Sequence, residues 1–400
     1  MPFELHARTE RGRRLVQLAQ RLAAEVAPMA PGHDREGSFP FDSLAAVKAS
    51  GYLTAPIPEQ LGGLGVRSLH DILVASSRLA RGDAGLALGV NMHLVLVSSL
   101  ARRWQAAVAA GNDRRVKAFG ATLEEIARDA LVLGTAISET GQDLTRPATR
   151  ARRTDDDWVI SGKKVFCTMS PAADVLFTAV TYLDGEGQEI YGYAMVPAAT
   201  PGVVVHDDWD ALGMRSSGSN SVSFDNVRLP ASALRGGFPA GSATGYVERN
   251  VDGGLFHAAV ALGVAEGADA EATAAVARRR GTPDGRTRTL AAESAIELAA
   301  CRAILARAGT LLDEGLALEP ANPTALFAEA QAAKTFVGEA AVRVVDRALA
   351  LSGGAGYLNG SPIARAYRDV RATAFMHPLG ANHAYDYLGA HALDLEPAIV

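Results

Sequence analysis

Through the first third of the chain apolar residues recur at about one helical turn: Leu15, Leu18, Leu22 and Val26, then Leu44, Ala45, Val47 and Leu53. Spacings of three and four gather such residues on one helix face, and alanine and leucine favour helix throughout this part. The segment Pro56-Ile57-Pro58-Glu59-Gln60-Leu61-Gly62-Gly63-Leu64-Gly65 interrupts the pattern. Proline removes amide donors and glycine admits positive φ, so this segment is expected to join two helices. Near Leu133 the texture changes to short β-branched and aromatic runs between turn residues, which predict strands. Trp158–Ile160 and Lys163–Thr168 are expected to form a hairpin about Ser161-Gly162. Val175–Tyr182 and Ile190–Val196 are expected to form another about Asp184-Gly185, with a later strand over Ser219–Val227 and an end near Pro230. From about Ala240 the helical period returns, in Ile296, Leu298, Cys301, Ile304, Leu305, Ala308, Leu311 and Leu312, with Arg278–Arg286 as an exposed turn. The pattern predicts an α+β, mostly α chain: an N-terminal helical domain over 1–132, a central antiparallel β domain over 133–236 and a C-terminal helical bundle over 237–400.

Composition narrows the function. A chain of 400 residues exceeds what one hydrophobic core usually organises, which leaves room for a large buried site. A formal charge of -5 gives no basic field for nucleic acid. Cys167 and Cys301 are too few for a disulfide framework or a cysteine zinc site, and no metal is expected. Charged or small residues break every apolar run and no leader segment is evident, so a cytoplasmic, non-membrane enzyme of small-molecule chemistry is expected.

Several segments, in order, resemble the acyl-CoA dehydrogenase superfamily of flavoproteins across nearly the whole chain. Pro56–Gly63 is similar to its P-x-P-E-x-x-G-G segment, and Ile137-Ser138-Glu139-Thr140-Gly141 to its T-E-P-G strand. Ile160–Thr168 resembles I-x-G-x-K-x-W-I-T, Leu212–Ser217 resembles L-G-x-R-x-S, and Phe224–Pro230 follows them. Ser352-Gly353-Gly354-Ala355-Gly356-Tyr357 and Tyr367–Arg371 resemble F-G-G-x-G-F and R-D-x-R. The resemblance implies a flavin ring between the β domain and a C-terminal four-helix bundle, in a homotetramer. Thr168 becomes the candidate for flavin N5, with Thr135, Ser138, Phe166, Cys167, Gly353, Gly354 and Gly356 as further cofactor contacts. A glycine cluster after a helix is by itself more often a C-cap than a phosphate cradle.

The departures are informative. An acyl-CoA dehydrogenase needs a carboxylate base, supplied in the family after R-D-x-R, and His377 stands there. An alternative family position aligns with Gly253-Gly254-Leu255, where no acid stands, although Glu248 and Asp252 lie close in sequence. The R-x-x-F-G segment reads Arg278-Arg279-Arg280-Gly281-Thr282 and the glutamine before the double glycine is Ala350, which removes expected contacts to the adenosine half of FAD. These changes resemble the monooxygenase branch typified by dibenzothiophene monooxygenase and the oxygenase component of 4-hydroxyphenylacetate hydroxylase. That resemblance assigns catalytic roles to His377, His93 and Thr168. It implies reduced FMN or FAD taken from a separate flavin reductase, molecular oxygen as co-substrate, a C4a-hydroperoxide and a small aromatic, sulfur- or nitrogen-containing substrate. His93 lies in a mainly apolar stretch, where a core histidine bonded to backbone is the plainer reading. Two other functions compete: an acyl-CoA or acyl-carrier-protein dehydrogenase with a non-standard base and an electron-transfer flavoprotein partner, and a non-catalytic scaffold.

Overall fold

The structure is a computed structural model and describes residues 4–141, 143–154, 156–315, 322–396 and 399. Six helices come first: α1 (Glu10–Val26), α2 (Ala30–Glu36), α3 (Phe41–Ala49), α4 (Leu69–Ala80), α5 (Ala84–Ala109) and α6 (Asp113–Asp129). Side-chain caps start several of them. Thr9 accepts from the Gly12 amide, Ser68 from Asp71 and Asp83 from Leu86, each relieving an amide that has no partner inside its helix. The Pro56–Gly65 segment does join α3 to α4, with one 3-10 turn at Glu59–Leu61.

Eight strands follow: β1 (Leu133–Ala136), β2 (Arg150–Arg153), β3 (Asp157–Cys167), β4 (Val175–Leu183), β5 (Glu189–Pro197), β6 (Val203–Val205), β7 (Asn220–Pro230) and β8 (Leu234–Pro239). They form one sheet in the order β6-β7-β3-β2-β4-β5-β8, with β1 pairing β4. The β4–β5 hairpin is as expected, in unbroken register from Val175↔Pro197 to Leu183↔Glu189. Two expectations need correction. Trp158–Thr168 is no hairpin: β3 runs straight through Ser161-Gly162 along β7, with a register shift there. Gly162 marks a close approach instead of a turn, since a Cβ on it would lie 2.5 Å from Thr149 Oγ1 and 2.8 Å from Thr149 Cα. The sheet is also mixed, because β1 and β2 both pair β4 in parallel. The chain reaches β4 from β3 through a 3-10 turn at Ser170–Ala172, which leaves β2 between those two strands.

The C-terminal part holds α7 (Ala243–Arg249), α8 (Leu255–Ala277), α9 (Gly285–Gly315), α10 (Pro323–Ser352), α11 (Gly354–Tyr357), α12 (Pro362–Asp369) and α13 (Ala381–Ala392). The long helices α8, α9 and α10 pack together with α4, and their side chains share one apolar core with α1 and α5. On α9, Leu298, Cys301, Leu305, Ala308 and Leu312 carry the buried face, while Ile296 faces solvent because it falls off that stripe. Arg278–Asp284 is exposed, as expected of the connecting turn. Among the described residues α5 alone is long and apolar enough to cross a membrane, although Gly85, Gly89, Ser98, Ser99, Arg102 and Arg103 interrupt it, as expected. That character matches its burial between neighbouring elements.

Gly162→Ala should lower stability by about 1–3 kcal/mol through forced overpacking against Thr149. A melting temperature equal to that of the parent would show that β2 and β3 can separate without cost.

Candidate active site

The end of β3 is shaped by two residues forced into positive φ. Phe166 has φ +53° and Met169 φ +72°, and the β3–β7 register shifts between Lys164 and Cys167. Non-glycine residues rarely adopt that region, so surrounding contacts must hold it. The twist turns Phe166 outward, 64% exposed, with its ring edge-on to Trp209 at 5.9 Å. Cys167 turns into the sheet core, where burial pushes its thiol up to about 12. Thr168 is buried, with Oγ1 2.9 Å from Ser219 Oγ, itself 2.7 Å from Ser217 Oγ. Three hydroxyls share two hydrogen bonds, so one O–H remains to donate elsewhere.

Thr135 and Ser138 lie alongside. Thr135 pairs Phe177 across β1–β4, and the Ser138 carbonyl accepts the Val165 amide at 2.9 Å. The structure therefore brings Thr135, Ser138, Phe166, Cys167 and Thr168 to one sheet corner, although Cys167 presents no side chain there.

His377 occupies a second corner, after α12. Its half-buried ring packs edge-on to Tyr246 of α7, and its Nε2 is 3.3 Å from the Tyr246 hydroxyl. Burial holds Tyr246 protonated well above its usual range, and its one O–H faces two acceptors, His377 Nε2 at 3.3 Å and the Pro378 carbonyl at 3.5 Å; we assign it to the nearer, which puts the imidazole proton on Nδ1. Burial, then the charge of Lys334, lowers His377 to about 4, leaving it neutral at pH 7. His257 of α8 is lowered to about 3 by burial and then by Lys334, and its Nδ1 has no hydrogen-bond partner among the described residues. Lys334 of α10 is buried, donates to the Leu379 carbonyl at 2.6 Å and to the Met376 carbonyl, and is brought down to about 7 by burial.

Other expected residues lie elsewhere. His93 belongs to the protein's packing and needs correction: Nε2 donates to the Leu53 carbonyl at 3.0 Å and Nδ1 accepts the Leu133 amide at 3.1 Å. Both ring nitrogens are spent on backbone, and burial lowers the ring to about 4. Gly353 ends α10 at φ +63°, with Gly354 and Gly356 in the short α11. Lys334 precedes Gly353 by 19 residues on α10, roughly 28 Å at 1.5 Å per residue, so the glycines are remote from the His377 corner within one chain. Beside them Arg279 donates to the Leu351 carbonyl. Of the acids considered as bases, Glu248 is exposed and Asp252 is paired with Arg102 at 2.7 Å.

Tyr246 and Lys334 escaped the sequence reading. A lysine amid Ala330, Ala333, Val337, Gly338 and Ala341, all on the buried side of α10, was the available signal for the second. Tyr246 had no such signal.

The first corner fits a flavin. An exposed aromatic face beside a hydroxyl chain with an unspent donor offers a planar ring both a stacking surface and a polar edge. Known proteins agree. Residues 9–105, 134–227 and 255–378 match the N-terminal, middle and C-terminal domains of acyl-CoA dehydrogenase. The chain is 34% identical over 392 residues to amino sugar nitrososynthase DnmZ of Streptomyces peucetius, covering 96% of this chain and 94% of that one. The X-ray structure of KijD3 with FMN and dTDP-3-amino-2,3,6-trideoxy-4-keto-3-methyl-D-glucose superposes with a TM-score of 0.90 at 32% identity, over 98% of this chain and 96% of that one. Dibenzothiophene monooxygenase TdsC from Paenibacillus sp. A11-2 shares the fold, with a TM-score of 0.79 at 23% identity over 96% and 98% of the two chains. The chain belongs to the acyl-CoA dehydrogenase superfamily of flavoproteins. It is a flavin-dependent oxidoreductase, which retires the scaffold alternative.

His93→Gln should preserve the fold and flavin binding, since an amide can donate to Leu53 and accept from Leu133. Between pH 6.5 and about 4 the unfolded chain binds a proton that folded His93 refuses. Stability therefore falls as the pH is lowered across that window, by at most about 1.4 kcal/mol per unit from this residue. Thermal melts from pH 7 to 4.5 should show a flatter acid decline in His93→Gln, whereas loss of flavin binding with an unchanged decline would return His93 to the site.

Proposed function

We propose that this protein is a reduced-flavin-dependent oxygenase acting on the amino nitrogen of a nucleotide-linked sugar. The observation that carries the reading is the chemistry of the His377 corner. The groups set against His377 are imidazoles, a phenol and a buried lysine, while the nearby acids are engaged elsewhere: Glu339, exposed on the outer side of the cavity that Lys334 lines, with the Tyr385 hydroxyl, Asp252 with Arg102, and Glu248 with solvent. An α,β-dehydrogenase needs a carboxylate to take its α-proton, and nothing at this corner favours that alternative. The nitrososynthase relative and the amino-sugar nucleotide bound by KijD3 support nitrogen as the oxygenated atom, in place of the aromatic or sulfur substrates also expected from sequence.

Reduced flavin, when bound, supplies the two electrons that deliver one atom of dioxygen to substrate and the other to water. In this reading FMN is the flavin, in keeping with the KijD3 complex and with Ala350 in place of the expected glutamine, and a separate reductase provides it. Thr168, backed by Ser219 and Ser217, would donate its hydroxyl to the polar edge of the ring. Phe166 and Trp209, packed edge-on to each other, would cover the ring face and exclude water from it. His377, neutral and oriented by Tyr246, offers the Nδ1 proton to developing negative charge and can recover it from the substrate amine. The homotetramer implied by the superfamily resemblance is part of this proposal.

The test supplies purified protein with FMN, a flavin reductase, NAD(P)H and a dTDP-linked amino sugar, and follows product mass and hydrogen peroxide. We expect oxygen added at nitrogen, a loss of about 10²-fold in product rate for His377→Ala, and a severalfold rise in peroxide per NAD(P)H for Thr168→Ala. Unchanged amino sugar together with bleaching of bound flavin by acyl thioesters would sink the proposal.

A further inference from the structure

Two backbone turns meet α10 at one place, and each is a position where the superfamily resemblance would put a catalytic base. One is Met376–Leu379, which carries His377; the other is Gly253-Gly254, just before α8. Neither contains a carboxylate. Both are tied to α10: Gln331 Nε2 donates to the Gly253 carbonyl at 2.8 Å, and Lys334 donates to the carbonyls of Met376 and Leu379. Gly254 has φ +90°, and a Cβ there would lie 2.5 Å from Lys334 Cδ, so this glycine makes way for the lysine stem.

We propose that Lys334 is the positioning residue of the oxygenation site, clamping the loop that carries His377 by bridging the carbonyls before and after it and turning its charge toward imidazoles instead of a carboxylate. The proposal rests on the oxygenase reading above and names how that site accepts an amine. The groups around Lys334 are few. From α8 comes His257, from the loop His377, from α7 Tyr246, and from the segment after α12 Thr373, whose buried hydroxyl has no partner among the described residues. On α10 itself Gln331 serves Gly253, and Glu339 is held by the Tyr385 hydroxyl of α13 at 2.7 Å. Tyr387 of α13 packs on Phe327 of α10, and Asp252 before α8 belongs to Arg102.

Such a corner discriminates by charge. An ammonium entering it meets a buried positive charge whose hydrogen bonds go to two carbonyls instead of a carboxylate, so the substrate amine is favoured as its free base. That is the form whose lone pair accepts oxygen. The effect belongs to the range below about pH 7, because burial discharges Lys334 above it.

The test uses the full chain without flavin, its histidines labelled with 13C at Cε1, titrated by NMR between pH 7.5 and 4.5. In the parent, His377 should stay neutral through most of this range. In Lys334→Met its proton affinity should rise about tenfold, one pH unit. With flavin added, FMN affinity should stay within about twofold, while the acid limb of kcat for the amino sugar moves in the same direction as the His377 titration. A lysine that only supports the fold would lower the melting temperature and leave His377 titrating as in the parent, and that outcome overturns the proposal. Lys334→Gln gives the same readout if the methionine variant does not fold. Should the parent oxygenate no amino sugar, the functional reading falls, while the His377 titration still decides the role of Lys334.

Discussion

A single buried ion pair locks the strands on which the flavin corner is built. Lys164 Nζ, fully buried on β3, lies 2.6 Å from Glu139 Oε1 and also donates to the Ile137 carbonyl. Glu139 follows β1 and accepts the amides of Ala148 and Thr149 and the Thr149 hydroxyl, just before β2 begins. Desolvating two ions costs several kcal/mol, and such a pair holds only when further hydrogen bonds complete it. Here they do, and the carboxyl stays below its ordinary range despite burial. One interaction thus ties β1, β2 and β3 where the sheet departs from simple antiparallel order, two residues from the backward-turned Phe166.

Four histidine environments show how the same residue type is put to opposite uses. His93 is inert because two backbone groups claim both of its nitrogens. His377 has a phenol on one nitrogen and a lysine nearby, and His257 keeps a buried nitrogen with no partner among the described residues. His33, half-buried between Ser38 and Asp42, serves the local turn. What separates a reactive imidazole from a packing one is whether a ring nitrogen is left over once the backbone is satisfied.

Much of the fold was legible from periodicity, because burial on one face imposes a period. The β4–β5 hairpin, the α3–α4 connection and the buried stripe of α9 all follow that logic. Ser161-Gly162 misled because a glycine needed for close approach to Thr149 has the same local signature as a turn glycine. The parallel pairing of β1 and β2 with β4 depends on contacts between distant segments, which no local pattern reports. In the site, Thr135, Ser138, Phe166 and Thr168 do converge, since neighbouring strands carry them. Lys334 and Tyr246 reach His377 from separate helices, and the glycines after α10 are divided from it by most of that helix.

Cys167 adds a point about durability. A site proposed to handle dioxygen leaks hydrogen peroxide whenever oxygenation fails, and this cysteine is the immediate neighbour of Thr168. Only a thiolate reacts readily with peroxide. The Cys167 thiol is fully buried and pushed up to about 12, as is that of Cys301. Met169, also fully buried, keeps its sulfur against the Gly89 backbone instead of solvent. The twist that shows Phe166 to a ring therefore also turns the two sulfurs beside it, those of Cys167 and Met169, away from any peroxide released there.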